Sequence, residues 1–372
     1  MSLFEQPHIE QTSADPQSRR RRTGWVFLLV AMVLLLVLAF APSTYLVQQP
    51  GPVENTLGTT MVNKKELPII EINGAETHPT TGNLDLLTVQ LLGDRERPAN
   101  WLNVISAWFD RTRTVVPVDA VYPAGVTTDE RNQQNQQLMV GSQQDAIAAA
   151  LKHQGIPVQS HLRVTLIQGG SPADGQLKVG DEVVSVNGVA MSTLDSVQKA
   201  VQDNGVDKAL TIDVLRDGKP ISVSVTPALA TAQDGSTHAR IGIGTGEVFQ
   251  FPFEVKINLE DIGGPSAGMM FALGIIDKLS GDDLTGGAHV AGTGTIDANG
   301  TVGPIGGIRQ KLFGAKGAGA TYFLAPAENC NEVVGHVPSG LRVFKVSKLD
   351  DSLTVLKTIR EKANLDALPT CS

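Results

Sequence analysis

Residues 264–268, GPSAG, place a serine on a tight, glycine-rich turn directly before an apolar stretch that has the length of a helix. A second stretch, PIGGIRQK at residues 304–311, ends on Lys311 at the start of another candidate helix. A serine hydroxyl becomes a nucleophile only when a base removes its proton, and a lysine amine held away from water can be that base. Ser266 and Lys311 are therefore a candidate nucleophile and base.

Each of these two residues also has an ordinary interpretation. A serine at a helix N-terminus most often caps the helix, and a helical lysine is usually solvated. If Ser266 is a nucleophile, the backbone N–H groups at the serine and the adjoining turn would stabilise an oxyanion, because a helix N-terminus carries free donors and partial positive charge. Apolar neighbours, Ile308, Leu312 and Phe313, would desolvate Lys311 and lower the pKa of its amine.

The composition argues against several classes of function. The 372 residues carry a formal net charge of -8 at pH 7, which argues against nucleic acid as a partner. None of the seven histidines lies in a metal-spaced pair, so we predict no metal and no cofactor. His289, near the candidate site, is interpreted as a surface or structural residue. The sequence contains no G-x-x-x-x-G-K-[ST] nucleotide-binding motif.

An apolar stretch near the N-terminus predicts a membrane anchor. Residues 24–41 contain no charge and directly follow an arginine-rich segment. Continuing the helix to Val47 supplies the ~20 apolar residues that cross a bilayer. Because flanking arginines favour the cytoplasmic side, we expect a cytoplasmic tail over 1–23 and a transmembrane helix over 24–47. The protein would then be a single-pass cell-membrane protein with its catalytic domain extracytoplasmic.

A cleavable signal peptide is the alternative to this anchor. Residues 39–41 fit the small-residue cleavage pattern, but the apolar run is longer than a signal peptide needs and Pro42 follows it.

Outside the membrane the only two cysteines, Cys330 and Cys371, would form a disulfide that tethers the C-terminus. In a reducing compartment they would be ordinary thiols.

A helix is expected from Ser142, as its N-cap, to His153, and two later strands are expected around a turn at residues 216–219. Between them lie a GSPA segment at residues 170–173 and LKVGDEVVSVNG at residues 177–188. In this order, residues 138–230 resemble a PDZ domain of the variant found beside extracytoplasmic proteases. PDZ domains bind extended peptides at a sheet edge and often capture a terminal carboxylate. We expect the corresponding loop near residues 155–158, although Pro157 lacks an N–H and departs from the pattern. A spacer domain without a ligand is the alternative.

Residues 231–372 contain GPSAG, a T-G strand at Thr293, the PIGG-x-x-x-K loop and a P-x-x-N segment at residues 326–329. In these motifs and their order, the segment resembles the proteolytic domain of Lon proteases. With the anchor and the PDZ-like module, the chain resembles the membrane-anchored, PDZ-containing Lon-like proteases of bacteria. The resemblance implies that Ser266 is the nucleophile and that Lys311 is the base and later the acid.

The resemblance also implies roles for the residues around this pair. Thr293 would orient the lysine amine, and Gly264 and Pro265 would shape the nucleophile turn. The sequence departs from the Lon pattern where an acidic residue often precedes the serine by three positions, since Gly263 stands there and Asp261 is two positions off. It departs again after the T-G pair, where Thr295 replaces a glutamate.

We therefore predict an α+β protein with an N-terminal transmembrane helix, a PDZ-like β-rich module and a C-terminal Lon-type proteolytic domain. Residues 48–137 form an extracytoplasmic linker and N-terminal segment. Residues 82–92 resemble the first strand of the Lon proteolytic fold, so the PDZ-like module is hypothesised to be inserted into that fold.

The predicted function is ATP-independent serine endopeptidase activity on flexible or unfolded extracytoplasmic proteins, with the PDZ-like module presenting or gating substrate. The predicted partners are protein or peptide substrates and the membrane. The resemblance to Lon also implies a homo-oligomeric ring, perhaps a hexamer. The alternative function is a non-enzymatic PDZ adaptor whose Lon-like domain is a scaffold.

Overall fold

The computed structural model describes residues 16–123, 125–191, 193–231, 236–259 and 262–371. Helices and strands are numbered in chain order. The segment before the PDZ-like module contains the following elements: α1 Pro16–Phe40, β1 Tyr45–Asn55, β2 Thr59–Val62, β3 Lys65–Pro68, β4 Ile70–Asn73, β5 Asn83–Leu92, α2 Trp101–Trp108, β6 Thr114–Pro117, α3 Val118–Val121 and α4 Thr128–His153.

The remaining elements belong to the PDZ-like module and to the C-terminal part. The module contains β7 Gln159–Ile167, β8 Glu182–Val186, β9 Val189–Ala190, α5 Leu194–Asn204, β10 Leu210–Arg216 and β11 Lys219–Val225. Then follow β12 Ala228–Thr231, β13 Thr237–Arg240, β14 Ile243–Gln250, β15 Glu254–Ile257, α6 Gly268–Ser280, β16 His289–Gly292, β17 Thr295–Ile296, β18 Val302–Gly303, α7 Ile308–Gly317, β19 Tyr322–Pro326, α8 Cys330–Val333, β20 Arg342–Val346 and α9 Leu349–Arg360.

The N-terminal helix corrects the predicted anchor. The helix ends at Phe40, and β1 begins at Tyr45 with Leu46 and Val47 buried in the sheet. The residues from 41 to 47 therefore do not belong to the helix, and its apolar part does not reach the ~20 residues needed to span a membrane. Within the described part of the chain, no helix is both long and apolar enough to cross a membrane. The predicted transmembrane helix over 24–47, and the membrane localisation built on it, are wrong.

A six-stranded mixed sheet forms the body that carries the candidate site. Its strand order is β20-β19-β16-β5-β1-β6. The strands β5, β16, β19 and β20 run parallel to one another, and β1 pairs antiparallel with both β5 and β6. Three of these strands precede the PDZ-like module in the chain and three follow it.

Alternate residues of these strands point to opposite faces of the sheet, as strand geometry requires. Leu84 and Leu86 of β5 lie in the core shared with α6, whereas Leu87 of β5 and Ala291 of β16 pack with α7. The helices α6 and α7 therefore cover opposite faces. Ser266 precedes α6 and Lys311 belongs to α7, so the two residues reach the end of β16 from opposite sides of the sheet.

Helix α4 is longer than the sequence predicted. A helix was expected from Ser142, with that serine as its N-cap, but α4 begins at Thr128. The Thr127 side chain accepts from the backbone N–H of Glu130, and the Glu130 side chain accepts from the backbone N–H of Thr127. This capping box starts the helix earlier. Ser142 is consequently a buried residue in the middle of α4.

The PDZ-like module has its own sheet and its own core. The strand order is β11-β10-β8-β7-β14, and α5 packs against it. The hairpin β10–β11 turns at Asp217 and Gly218, both at positive φ, which confirms the turn predicted there. Strand β14 follows residue 230 but pairs with β7 inside this sheet. The module is connected to the rest of the chain through α4 and β15.

Candidate active site

The nucleophile turn is shaped by a glycine and held by helix α4. Gly264 has a φ of +86°, a conformation that favours glycine. Its backbone N–H donates to the carbonyl of Asn135 at 2.8 Å. The first residue of α6 is Gly268, and no side chain caps that helix. The hydroxyl of Ser266 is therefore not used as a helix cap, although capping was the ordinary interpretation of this serine.

A second loop brings Lys311 to the same place. Gly307, with a φ of +68°, precedes α7, and a Cβ there would lie 2.7 Å from a methyl group of Val89. The buried side chain of Asn329 clamps the loop, because its amide nitrogen donates to the carbonyl of Ile305 and its amide oxygen accepts from the Ile305 N–H, each at 2.9 Å. Lys311 follows in the first turn of α7 and is 2% exposed.

Three side chains meet where β16 ends. The amine Nζ of Lys311 lies 2.9 Å from Oγ of Ser266 and 2.9 Å from Oγ1 of Thr293. Thr293 Oγ1 in turn donates to the backbone carbonyl of Ser266 at 2.9 Å, and the Gly294 N–H donates to the same carbonyl at 2.9 Å. Thr293 thus connects the lysine amine to the backbone of the serine.

Burial sets the protonation of the lysine. Desolvation lowers the pKa of Lys311 from 10.5 to about 7. An amine with that pKa is largely neutral slightly above pH 7 and can then accept a proton from the neighbouring hydroxyl. The arrangement is chemically suited to activating Ser266 as a nucleophile.

The residues that depart from the Lon pattern have local explanations. A Cβ at Gly263 would lie 2.9 Å from the Cβ of Asn135, so α4 leaves no room for an acidic side chain there. Thr295 packs against Gly303 in the β17–β18 hairpin, where a Cβ on that glycine would lie 2.5 Å from its Oγ1. Asp261 lies outside the described residues. His289 pairs with the buried Asp85, which supports its structural interpretation.

A cleft of about 480 Å³ opens onto the serine and the lysine. Strand β5 pairs with β16 only as far as Leu86 and continues beside the cleft to Leu92. The apolar residues that line the cleft come from β5, α4 and the segment before the serine: Leu86, Leu87, Val89, Met139 and Ile262. A peptide backbone placed in this cleft would pass beside Ser266.

The disulfide and the PDZ-like groove lie outside this cleft. Cys330 and Cys371 are joined by a disulfide, which ties the C-terminus to the start of α8. A groove of about 470 Å³ lies between α5 and the segment from 238 to 245, rather than at the loop expected near residues 155–158. The position of this groove could not be predicted from the order of segments along the chain, because β14 comes after all the other strands of the module.

Two contacts of the nucleophile turn were missed from the sequence. Ser142 donates its hydroxyl to the carbonyl of Pro265 at 2.9 Å, and Asn135 accepts from Gly264 through its backbone. A serine inside a long polar helix carries no local signal of such a contact. The Thr127–Glu130 capping box predicts a longer α4 than the one expected from Ser142. With that start, Ser142 lies in the interior of a helix, where its hydroxyl does not act as a cap.

Comparison with known proteins identifies both parts of the chain. Residues 260–359 match the family model of the Lon protease (S16) C-terminal proteolytic domain, and residues 130–226 match that of the PDZ domain. Lon protease 1 of Sorangium cellulosum is 39% identical over 106 residues, which are 27% of this chain and 13% of that protein. Lon protease 2 of Herpetosiphon aurantiacus is 32% identical over 183 residues, 47% of this chain and 22% of that protein.

Lon protease 1 of Bacillus subtilis is 28% identical over 185 residues, 48% of this chain and 23% of that protein. The chain thus covers less than a quarter of the length of each of these three relatives. The similarity is to part of each Lon protease. Within those limits, the chain contains a C-terminal proteolytic domain of the Lon protease type together with a PDZ domain, and it is a homologue of the Lon proteases.

Proposed function

We propose that this protein is a serine endopeptidase in which Ser266 is the nucleophile and Lys311 the general base. The observation that carries the proposal is the buried Lys311 amine, which lies 2.9 Å from both Ser266 Oγ and Thr293 Oγ1. By donating one hydrogen to Thr293, a neutral amine can turn its lone pair towards the serine hydroxyl. A buried lysine serves as a base when desolvation has lowered its pKa.

The reaction follows from these positions. Lys311 takes the proton of Ser266, and Oγ attacks the carbonyl carbon of the substrate peptide bond. The backbone N–H groups of Ser266 and Ala267 donate to the oxyanion that forms. The lysine ammonium then gives its proton to the leaving amine, and an acyl group remains on Ser266. Water, deprotonated by the neutral lysine, hydrolyses this ester and restores the serine.

Flexible or unfolded protein segments are the proposed substrates, and ATP is not required. The cleft beside β5 accepts an extended backbone, which folded proteins seldom offer. No nucleotide-binding motif of the G-x-x-x-x-G-K-[ST] type occurs in the 372 residues.

The test is degradation of unfolded casein by the full chain, with and without ATP. We expect turnover by the wild type that ATP does not change, and none by Ser266→Ala or Lys311→Met. Lys316→Met is the matched control, because Lys316 lies on the same helix and its amine donates a hydrogen bond to the carbonyl of Gly340. Casein cleavage that persists in Ser266→Ala would refute the dyad. A wild type that cleaves nothing would favour the adaptor interpretation.

We also propose that the PDZ-like module holds an extended segment of the substrate at strand β14. This strand ends the module's sheet, and its groove includes the partly exposed Leu194 of α5. Adding a peptide strand to such an edge is a known mode of recognition. Leu194→Glu should raise KM for casein and leave cleavage of a short peptide unchanged. Val189→Glu, exposed on the same module but outside the groove, is the control.

A further inference from the structure

Ser142 is a buried hydroxyl in the middle of α4 that reaches the nucleophile turn. It is 4% exposed, and its Oγ donates to the carbonyl of Pro265 at 2.9 Å. Gly268, the first residue of α6, also lies close to this hydroxyl, since a Cβ on that glycine would lie 2.7 Å from the same Oγ. Helix α4 touches the turn a second time through the carbonyl of Asn135, which accepts from Gly264.

The Pro265 carbonyl belongs to the same peptide unit as the N–H of Ser266. A trans peptide is planar, so the carbonyl and the N–H point in opposite directions within one plane. Fixing the direction of the Pro265 carbonyl therefore fixes the direction of the Ser266 N–H. The next peptide unit is fixed as well, because the Ser266 carbonyl accepts from Thr293 and from Gly294.

The N–H groups at this turn are available to a ligand. Over the described ranges, the backbone N–H groups of Ser266 and Ala267 donate to no acceptor in the protein. Buried or partly buried backbone donors are nearly always paired. Ser266 and Ala267 both line the cleft. An unpaired backbone donor in such a place is suited to stabilising negative charge that develops during a reaction.

We infer that Ser142 is a positioning residue that aims the Ser266 N–H at the oxyanion of the transition state. This inference rests on the proposed endopeptidase function. Ser142 does not touch the substrate; it acts through the Pro265–Ser266 peptide plane. A purely structural serine would satisfy its own hydroxyl in a helix interior and would leave transition-state binding unchanged.

The test compares ground-state and transition-state binding in Ser142→Ala. Losing a whole oxyanion donor costs about 10²–10³ in kcat, and losing only its alignment should cost about tenfold. We expect kcat to fall about tenfold with KM for a peptide substrate within about twofold of wild type. Affinity for a peptide boronate, which forms a tetrahedral adduct on Ser266, should fall by about the same factor as kcat.

The control is Ser43→Ala, which also removes a buried hydroxyl that donates to a backbone carbonyl, that of Ala99 at 2.7 Å. It should match wild type in kcat and in boronate affinity. If Ser142→Ala does not fold, Ser142→Cys keeps most of the volume with a weaker donor and should show the same direction of change. Wild-type kcat and boronate affinity in the folded variant would overturn the inference while leaving the endopeptidase function intact. Failure of the wild type to cleave would instead refute the function on which it rests.

Discussion

Replacing Lys311 by methionine is expected to abolish proteolysis and to stabilise the fold at pH 7. Lys311 is 2% exposed, and burial lowers the pKa of its amine from 10.5 to about 7. Between these two values the unfolded chain binds about one more proton than the folded protein. The free energy of unfolding of the wild type therefore rises with pH by about 1.4 kcal/mol per unit across this window. Below pH 7 both states are protonated and the cost of burial is at its full value.

The size of the effect follows from the same pKa. At pH 7 the buried amine costs about 4 kcal/mol, which methionine removes because its side chain is similar in length and uncharged. The hydroxyls of Ser266 and Thr293 then lose their partner, at about 1 kcal/mol each. We expect Lys311→Met to be more stable than wild type by about 2 kcal/mol at pH 7. Between pH 7 and pH 9.5 the wild type regains about 3 kcal/mol, so at pH 9.5 it should be more stable than the variant by about 1 kcal/mol.

Chemical denaturation of both proteins at pH 7 and pH 9.5 measures this difference. The two proteins share every other titrating group, so the change in their difference isolates Lys311. A difference in free energy of unfolding that stays constant between the two pH values would refute a buried amine with a lowered pKa. A wild type that is more stable than the variant at pH 7 would likewise contradict it.

Three further predictions concern the neighbourhood of this amine and the C-terminus. The rate constant kcat/KM should rise with pH to a plateau, with a midpoint near 7, because the base must be neutral; a pH–rate profile measures it. Thr293→Val should lower kcat by about ten- to a hundredfold, whereas Thr293→Ser should stay near wild type, since only the hydroxyl holds the lysine; steady-state kinetics of both variants decide this. Cys371→Ser should lower Tm without changing kcat, because the bridge closes a loop of sequence separation 41, worth at most about 4 kcal/mol. Thermal unfolding with and without a reductant checks it, and an unchanged Tm would contradict it.

The candidate site was accessible from the sequence because its chemistry sits in short local patterns. The turn at 264–268 and the loop at 304–311 each place one reactive residue at the start of a helix, and the two helices cover opposite faces of one sheet. The meeting of Ser266, Thr293 and Lys311 follows from that layout. Their catalytic roles stay predictions until the variants are measured.

The parts that could not be predicted depend on long-range contacts. Ser142 touches Pro265 across 123 positions of sequence, and no local pattern reports such a contact. Strand β14 joins the PDZ-like sheet from beyond residue 230, so the groove beside it lies away from the loop expected near residues 155–158. The N-terminal helix was extended to Val47 because apolarity alone does not distinguish a membrane helix from a buried strand such as the start of β1.

Covalent labelling of Ser266 by a fluorophosphonate, followed by peptide mass spectrometry, tests whether Lys311 activates this serine. We expect one adduct, on Ser266, that forms faster as pH rises through about 7 and is lost in Lys311→Met. Labelling of folded Lys311→Met at the wild-type rate, or a folded wild type that is not labelled on Ser266, would contradict it.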